Sequence, residues 1–251
     1  MAVALAGWVL AIAAAAAALS ARLALGSRME AIARASHELR GPLTAARLGL
    51  ELGLRCGGLS PARLRAIELE LGRAALALGD LAEVRRRGDP RAVLGSGAAE
   101  HLDLEGLLTD SIEAWRPAAA ARGVELRMTW AGGAASIRGD RLRLAQATGN
   151  LIANAIEHGG GSVEVRGRVE RSGVRLEVLD EGPGLSAPLD ELARRARRRC
   201  GRDHSRGHGL AVAGAVAAAH GGRLAAAPSE RGARLVLELP VAGEHLGVPT
   251  G

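Results

Sequence analysis

Three patterns of apolar and polar positions follow one another along the chain. An uncharged, alanine-rich run occupies Ala2–Leu19. Apolar residues then recur at spacings of four and three, first from Ile32 to Leu50 and again from Leu64 to Leu81, which is the heptad pattern of packed helices. From about His101 onward the pattern alternates between helical and strand periods, which predicts a mixed α/β region.

The apolar run Ala2–Leu19 predicts a transmembrane anchor. A helix of about 18 residues spans roughly 27 Å, enough for a thin hydrocarbon core, and Arg22 can snorkel at its end. A cleaved signal peptide is the alternative, but no positive charge precedes the run. Because Arg22, Arg28 and Arg34 follow it, the positive-inside rule predicts a single-pass protein of the inner or plasma membrane, with the remaining chain in the cytoplasm.

The two heptad stretches predict an antiparallel helical hairpin. Their seam positions are Ile32, Ser36, Leu39, Leu43, Ala46 and Leu50, then Leu64, Ile67, Leu71, Ala74, Leu78 and Leu81. The turn is expected at Arg55–Pro61, where glycines end the first helix and Ser60 can cap the second. One hairpin cannot bury both seams, so we expect two copies of the chain to form a dimeric four-helix bundle.

The first heptad helix carries a candidate nucleophile in the segment SHELRGPL, Ser36–Leu43. His37 is one position outside the seam and should face solvent. Glu38 can orient the imidazole or take its proton, which leaves one ring nitrogen free as a nucleophile. Pro42 predicts a kink, because it cannot donate its backbone bond. A surface histidine on a coiled coil is the alternative that this segment alone does not exclude.

After a glycine-rich, charged linker at Arg85–Glu100, the chain predicts a mixed α/β region. The predicted helices are Leu104–Ala121, Arg141–His158 and Leu210–His220, and the predicted strands are Val124–Trp130, Ser162–Glu170, Val174–Leu179, Arg223–Ala227 and Ala233–Leu239. Ser162–Glu170 and Val174–Leu179 should pair. The arginine-rich segment Ser186–Arg206 shows little apolar periodicity, which fits either a mobile lid over phosphates or an ordinary solvated loop.

Composition limits the function classes. Of 251 residues, 48% are apolar but none is Phe or Tyr, so the core must be built from Leu, Val, Ile and Ala. The formal net charge of +6 could suit nucleic acid. The arginines are spread along the chain, however, and stacking aromatic residues are nearly absent, so we expect no nucleic-acid partner. Cys56 and Cys200 lie far apart, which favours a reducing compartment.

The predicted helix containing GNLIANAIEH places two amides on one face. Asn150 and Asn154 are four residues apart, and Gln146 and His158 extend the same face. Asparagine oxygens are hard ligands that suit a Mg²⁺ ion also bound to phosphate oxygens. Because asparagine forms helices poorly, its presence here needs a reason. A polar, solvated stripe is the alternative.

The segment DEGPGL, Asp180–Leu185, follows a predicted strand. The Asp180 carboxylate can accept a hydrogen bond from an exocyclic amine, while Gly182 and Gly184 let the backbone pass close to a flat ring. Asp-Gly turns are common, so the segment is weak as a lone motif.

A second glycine-containing segment, RGHGLAVA, begins a predicted helix at Arg206–Ala213 and contains Gly207 and Gly209. The free N–H groups and the positive dipole end of such a helix suit an anion. Each of the three segments (the paired asparagines, DEGPGL and RGHGLAVA) is a moderate signal alone. Their order and spacing along the chain are a more specific signal than any one segment.

Together these segments resemble the sensor histidine kinases of two-component systems with a GHKL-type ATP-binding domain, over about residues 29–240. SHELRGPL is similar to the H-box, GNLIANAIEH to the N-box, DEGPGL to the G1 box, RGHGLAVA with AAAHGG to the G2 region, and GARLVLELP to the last strand. The resemblance implies that His37 is the phosphoacceptor and Glu38 its acid–base helper. It further implies that Asn154 is the Mg²⁺ ligand, with Asn150 one turn earlier at the catalytic edge, and that Asp180 binds the adenine amine.

The resemblance implies an α/β sandwich of the GHKL type that binds ATP and Mg²⁺ as cofactors, with Gly182, Gly184, Gly207 and Gly209 in the nucleotide site. It also implies a response-regulator receiver domain and a second copy as partners. We expect an anchor at 1–26, a phosphotransfer hairpin at 27–87, a linker at 88–100, a catalytic domain at 101–242 and a tail at 243–251. The alternative is a degenerate scaffold that binds a regulator without turnover.

Several positions depart from the family pattern. Gly41 stands where Thr, Ser or Asn is usual, four residues after the histidine, and Glu157 stands where many members have a basic residue. The phenylalanine-containing box is missing from the lid. Ser205 replaces the first glycine of the G2 pattern, and Ala233 replaces the Thr or Ser of the last strand. These departures concern the lid and phosphatase activity more than nucleotide binding.

Overall fold

The computed structural model describes residues 18–20, 22, 39–55, 57–87, 99–134, 136–171, 173–198 and 208–241. Most of the predicted anchor and linker therefore lies outside the described residues, as do Cys56 and Cys200. No helix within the described ranges has the length and apolar character needed to cross a bilayer.

Helices and strands alternate along the described residues. The helices are α1 (39–55), α2 (Pro61–Arg87), α3 (Leu104–Ala120), α4 (Arg141–His158), α5 (Leu189–Arg198) and α6 (His208–Ala219). The strands are β1 (Glu100–Asp103), β2 (Glu125–Ala131), β3 (Ser136–Gly139), β4 (Ser162–Glu170), β5 (Gly173–Asp180), β6 (Arg223–Ala226) and β7 (Arg234–Leu239).

Five strands form one sheet in the order β2-β4-β5-β7-β6, and helices α3, α4 and α6 pack on it. Only the β2–β4 pair is parallel among these neighbours. As the sequence predicts, β4 and β5 pair antiparallel, with Val163 opposite Asp180 and Glu170 opposite Gly173. This α/β architecture confirms the predicted sandwich and places the end of β5 beside the start of β4.

The core lies between the sheet and its helices, and it is aliphatic as the composition requires. Alternate β4 and β5 residues point into it, so that Val163 and Leu176 are almost fully buried. Leu104, Leu108, Leu144, Leu151 and Ile152 cover them from α3 and α4. Full burial of each such side chain stabilises the fold by roughly 1.5–3 kcal/mol, which holds α4 firmly against the sheet.

The other face of the sheet carries arginines and glutamates in place of a second apolar layer. Glu177 is the buried centre of this face and accepts hydrogen bonds from Arg175 (2.7 Å) and Arg234 (2.8–3.1 Å). Burial alone would raise the pKa of Glu177, but the hydrogen bonds and charges of Arg175 and Arg234 outweigh it and hold the pKa below its usual 4.5. This face is therefore held together by ion pairs.

Helices α1 and α2 approach each other closely around the turn that joins them. A Cβ built on Gly49 would lie 3.3 Å from Cγ1 of Ile67, and Ser60 caps α2 by accepting a hydrogen bond from the Arg63 N–H (3.2 Å). The seam residues divide into two classes: Ala46, Ile67 and Ala74 are buried, while Leu43, Leu50, Leu64, Leu71 and Leu78 are 44–53% exposed.

Three elements differ from the sequence prediction. Strands β1 and β3 were not predicted; they pair antiparallel as a separate two-stranded sheet. Within Ser186–Arg206, the structure contains the helix α5 where the prediction was a lid or a loop. This helix begins with two acidic residues, which favour a helix N-terminus, and Leu192 anchors it because its side chain is only 9% exposed.

Candidate functional site

Helix α4 positions both predicted asparagines, and its first turn is fixed by two hydrogen bonds. Asp140 caps the helix: its Oδ1 accepts from the Arg143 N–H (3.0 Å). The Asp140 N–H in turn donates to Nε2 of His220 (3.0 Å), whose Nδ1 lies 2.8 Å from the Val216 carbonyl. The imidazole is therefore the neutral tautomer with its proton on Nδ1, and it joins α6 to the start of α4.

Asn150 lies between α6 and the helix α2. A Cβ built on Gly209, in the first turn of α6, would lie 3.4 Å from Cβ of Asn150. On the other side, Oδ1 of Asn150 accepts a hydrogen bond from Nη2 of Arg73 (3.3 Å). The Nδ2 atom of Asn150 is buried, and no hydrogen-bond acceptor among the described residues satisfies it. A ligand with acceptor oxygens could satisfy this amide.

Asn154 lies one turn after Asn150 and is half-buried. No cluster of three or more His, Cys, Asp or Glu side chains that could hold a metal occurs among the described residues. A magnesium ion at this helix would therefore depend on the Asn154 amide oxygen together with oxygens of the ligand, a donor set that suits Mg²⁺ bound to phosphates. The residues present fit a metal that arrives with its nucleotide.

Asp180 ends β5, and its side chain is held by the backbone on two sides. Its Oδ1 accepts hydrogen bonds from the Gly182 N–H (2.9 Å) and the Ala233 N–H (3.1 Å), and its own N–H donates to the Ala233 carbonyl (3.1 Å). In the described part of the chain, Oδ2 accepts no hydrogen bond. The carboxylate is thus oriented, with one oxygen available to a donor such as an exocyclic amine.

Glycines surround Asp180 where a larger residue would collide with it. A Cβ on Gly159, Gly182 or Gly232 would approach the backbone or the Asp180 side chain more closely than real Cβ atoms do. Gly184 and Gly232 also have positive φ angles, +78° and +63°, which L side chains rarely adopt. These glycines bring the end of α4, the loop after β5 and the loop before β7 together around one carboxylate.

The structure thus brings the predicted site residues into two groups. Asp180 lies with Gly182 and Gly184 at the end of β5, and Asn150 lies with Gly209 where α4 meets α6. Helix α4 joins them, because its C-terminal Gly159 contacts Asp180. The predicted phosphoacceptor His37, its neighbour Glu38, and Gly207 lie outside the described residues, so their roles remain predictions.

The sequence analysis missed two side chains that contact this site. Arg73 and Glu70 of α2 form a buried ion pair at 2.7 Å, and Arg73 reaches Asn150. Their one sequence signal is a charged pair three residues apart, next to the apolar seam positions Leu71 and Ala74. That signal is ordinarily typical of a solvated helix face.

A cavity of about 680 Å³ lies near Asp180 but on the polar face of the sheet. Its walls include Glu164, Arg166 and Arg234, and Asp180 is the one predicted site residue among them. Because Asn150 and Gly209 lie on the helix-covered side, we place the candidate site between α4, α6 and the loop after β5, not in this cavity.

Comparison with known proteins relates this region to a family of ATPases. Residues 139–243 match the family described as histidine kinase-, DNA gyrase B- and HSP90-like ATPases. The sensor protein CutS of Streptomyces coelicolor is 34% identical over 226 residues, covering 84% of this chain and 52% of CutS. The signal transduction histidine-protein kinase BaeS of Escherichia coli K12 is 31% identical over 227 residues, covering 85% of this chain and 47% of BaeS.

Solved histidine kinases share the fold. The structure of full-length ShkA in complex with AMPPNP has a TM-score of 0.53 and 28% identity, and the match covers 83% of this chain and 45% of ShkA. The histidine kinase AdeS of Acinetobacter baumannii has a TM-score of 0.50 at 20% identity, covering 82% of this chain and 98% of that structure.

The region matched to the ATPase family contains the whole candidate site, from α4 through Asp180 and α6 to β7. The chain spans about half the length of the curated relatives named above. The match of residues 139–243 and the relationship to CutS and BaeS agree with the resemblance of the five sequence segments. Residues 139–243 therefore form an ATPase domain of the histidine kinase-, DNA gyrase B- and HSP90-like family, in a chain that is similar to sensor histidine kinases of two-component systems.

Proposed function

We propose that this protein is a histidine kinase that transfers the γ-phosphoryl group of ATP to His37. The observation that carries the proposal is the oriented Asp180 carboxylate, whose Oδ1 is fixed by two backbone N–H groups while Oδ2 stays available. An adenine amine can donate to that oxygen. Support also comes from ShkA, a structure similar to this chain that contains AMPPNP.

Within the proposed reaction, a ring nitrogen of His37 attacks the γ-phosphorus, a P–N bond forms, and the bond from the γ-phosphorus to the bridging oxygen breaks to release ADP. Glu38 holds the proton of the other ring nitrogen and so keeps the attacking nitrogen unprotonated. Asn150 and Asn154 lie on one face of α4, where their amides can orient the phosphates. Magnesium, held by Asn154 and the phosphates, would supply charge neutralisation.

The exposure of leucine side chains on α1 and α2 supports a homodimer. Leu64, Leu71 and Leu78 repeat every seven residues along α2, Leu43 and Leu50 do so along α1, and all five side chains are 44–53% exposed. Contiguous apolar surface of this kind is typical of an interaction site. We infer that a second copy covers it in a four-helix bundle.

Beyond the ATP-binding domain, we propose an anchor at 1–26, a phosphotransfer hairpin at 27–87, a linker at 88–100, a catalytic domain at 101–242 and a tail at 243–251. The anchor would hold the protein in the membrane with its catalytic part in the cytoplasm. The phosphoryl group would then pass from His37 to an aspartate of a response-regulator receiver domain. The similarity to CutS and BaeS supports this signalling role.

Incubation of the chain with ATP labelled at the γ-phosphate tests the proposal. We expect a label on the protein that is acid-labile and base-stable, as a phosphohistidine is. The matched variant His37→Gln should bind ATP like the parent and take up no label. ATP binding without label in the parent would instead identify a scaffold, and equal labelling of His37→Gln would move the acceptor to another histidine.

A further inference from the structure

Helix α2 lies along α3 and α4 and is joined to them by ion pairs at both of its ends. Near its start, Arg63 donates to Glu113 of α3 (2.9 Å). Near its end, Asp80 accepts two hydrogen bonds from Arg143 of α4, each 2.5 Å. The helix of the proposed hairpin is therefore docked on the ATP-binding domain along most of its length.

Between these ends, Arg73 inserts from α2 into the candidate nucleotide site. Its side chain is 3% exposed and its partner Glu70 is fully buried, with both carboxylate oxygens 2.7 Å from Nη1 of Arg73. The other terminal nitrogen donates to Asn150. Gly149 makes room for this approach, because any Cβ there would overlap the guanidinium group.

The docked arrangement leaves donors unsatisfied at the same place. Nε of Arg73, Nε1 of Trp115 and Nδ2 of Asn150 are all buried, and none of them has a hydrogen-bond partner among the described residues. Arg73 lies over the Trp115 ring, 6.0 Å from its centroid, so these three donors belong to one cluster. Buried donors without acceptors are costly, and opening this contact would relieve that cost.

We propose that Glu70 and Arg73 form a latch on Asn150 that a bound nucleotide must displace. The inference rests on the proposed nucleotide site, because Asn150 acts on the ligand only if ATP binds beside α4. In the latched state Oδ1 of Asn150 is occupied by Arg73. Phosphate oxygens that approach the middle of α4 supply the acceptor that the asparagine amide lacks, and Glu70 neutralises Arg73, so the latch presents no net positive charge to them.

Displacement of the latch would couple nucleotide binding to the position of α2. Arg73 lies on the helix that contacts the ATP-binding domain, so release of Arg73 from Asn150 weakens the α2–α4 contact at its middle. The ATP-binding domain would then be free to leave α2 when the nucleotide is bound. By reciprocity, the Arg73–Asn150 contact lowers the affinity for nucleotide by the same factor by which the nucleotide weakens that contact.

Binding of ADP to the full chain tests the latch. The double variant Glu70→Gln/Arg73→Met removes the latch without leaving a buried charge alone, and Met retains the apolar stem over Trp115. Arg65→Gln is the matched control, because Arg65 joins α2 to Asp110 of α3 (3.4 Å) without touching Asn150, and Asp110 keeps its ion pair with Arg141. With a fluorescent ADP analogue as the probe, we expect the double variant to bind about five-fold tighter or more and Arg65→Gln to stay within about two-fold of the parent.

A lower affinity in the double variant would overturn the inference, because Arg73 would then be a ligand of the nucleotide. An equal increase in both variants would also overturn it, since general loosening of α2 would explain the result. Hydrogen exchange of α2 amides gives a second measurement: ADP should speed exchange in the parent and change little in the double variant. If none of the three proteins binds ADP, the proposed function itself fails; if all bind it equally, only the latch fails.

Discussion

Exchange of Asp180 for asparagine should change which purine the protein prefers. The structure lets this substitution keep its local fold, because the oxygen of the amide can still accept from the N–H groups of Gly182 and Ala233. What changes is the atom at the place of Oδ2, where an acceptor oxygen becomes an NH₂ donor. The exocyclic amine of adenine then meets another donor, whereas the carbonyl of guanine at the equivalent position meets a partner.

The expected loss of ATP affinity follows from the single hydrogen bond that is lost. A hydrogen bond to a charged group contributes about 1.5–3 kcal/mol, which corresponds to about a 10- to 150-fold loss of ATP affinity. GTP affinity should stay the same or rise. Titration of the parent and of Asp180→Asn with ATP and GTP measures both changes, and thermal unfolding shows whether the fold is intact.

Two further variants control this measurement. Glu181→Gln makes the same carboxylate-to-amide change at the adjacent exposed position. It should change neither the affinity for ATP nor the affinity for GTP. Asp180→Ala removes the acceptor of the buried Ala233 N–H and should lower the free energy of unfolding by about 1–3 kcal/mol. The reasoning is refuted if Asp180→Asn weakens ATP and GTP by the same factor, or if Glu181→Gln reproduces its effect.

Two other predictions concern assembly and stability. Leu71→Glu places a charge on the exposed seam of α2 and should turn a dimer into a monomer in sedimentation analysis; a parent that is already monomeric would contradict the dimer. Glu177→Gln should lower the free energy of unfolding at pH 7 by about 1–3 kcal/mol, while the exposed Glu125→Gln changes it by less than about 0.5 kcal/mol. Because Arg175 and Arg234 keep the folded pKa of Glu177 below 4.5, this stabilisation is present above pH 4.5 and is lost as pH falls through the folded pKa; a parent–variant difference that stays constant from pH 7 to pH 3 would contradict it.

The sequence predicted those elements whose boundaries are set locally. The bounds of α4 were predicted as Arg141–His158 and are found there, because Asp140 caps the helix and its apolar residues repeat with the helical period. Strands β4 and β5 could be predicted equally well, since each has eight or more residues with strand periodicity. In contrast, the four-residue strands β1 and β3 were not predicted, and in the structure they pair with each other in a separate sheet.

Prediction of the site was similarly limited to what one segment contains. Asp180 and Gly182 lie two residues apart in the segment DEGPGL, and the sequence analysis assigned both to the nucleotide site. The second anchor of Asp180, the Ala233 N–H, lies 53 residues away, and the Arg73–Asn150 bond joins positions 77 residues apart. Neither periodicity nor a local motif predicts such long-range contacts, because they depend on how α2 packs against α4 and how β7 pairs with β5.

The last prediction concerns Gly41, where the family resemblance and the structure give separate reasons for the same substitution. By the resemblance, a hydroxyl or amide at this position helps to hydrolyse the phosphorylated regulator, and glycine cannot supply it. The structure adds that Trp115 of α3 packs here: a Cβ on Gly41 would lie 3.2 Å from its Cη2 atom, and the ring is buried. Any side chain at position 41 therefore presses on the contact between α1 and the ATP-binding domain.

Two variants separate these reasons. Gly41→Ala adds the Cβ alone, whereas Gly41→Thr adds both bulk and a hydroxyl, so both should disturb the Trp115 contact but only threonine can position water. Within α1, alanine at position 41 should also favour the helix by about 1 kcal/mol over glycine. We expect Gly41→Thr alone to speed dephosphorylation of the regulator, with labelling of His37 largely unchanged. If Gly41→Ala speeds dephosphorylation equally, release of Trp115 is the cause and the missing hydroxyl is not.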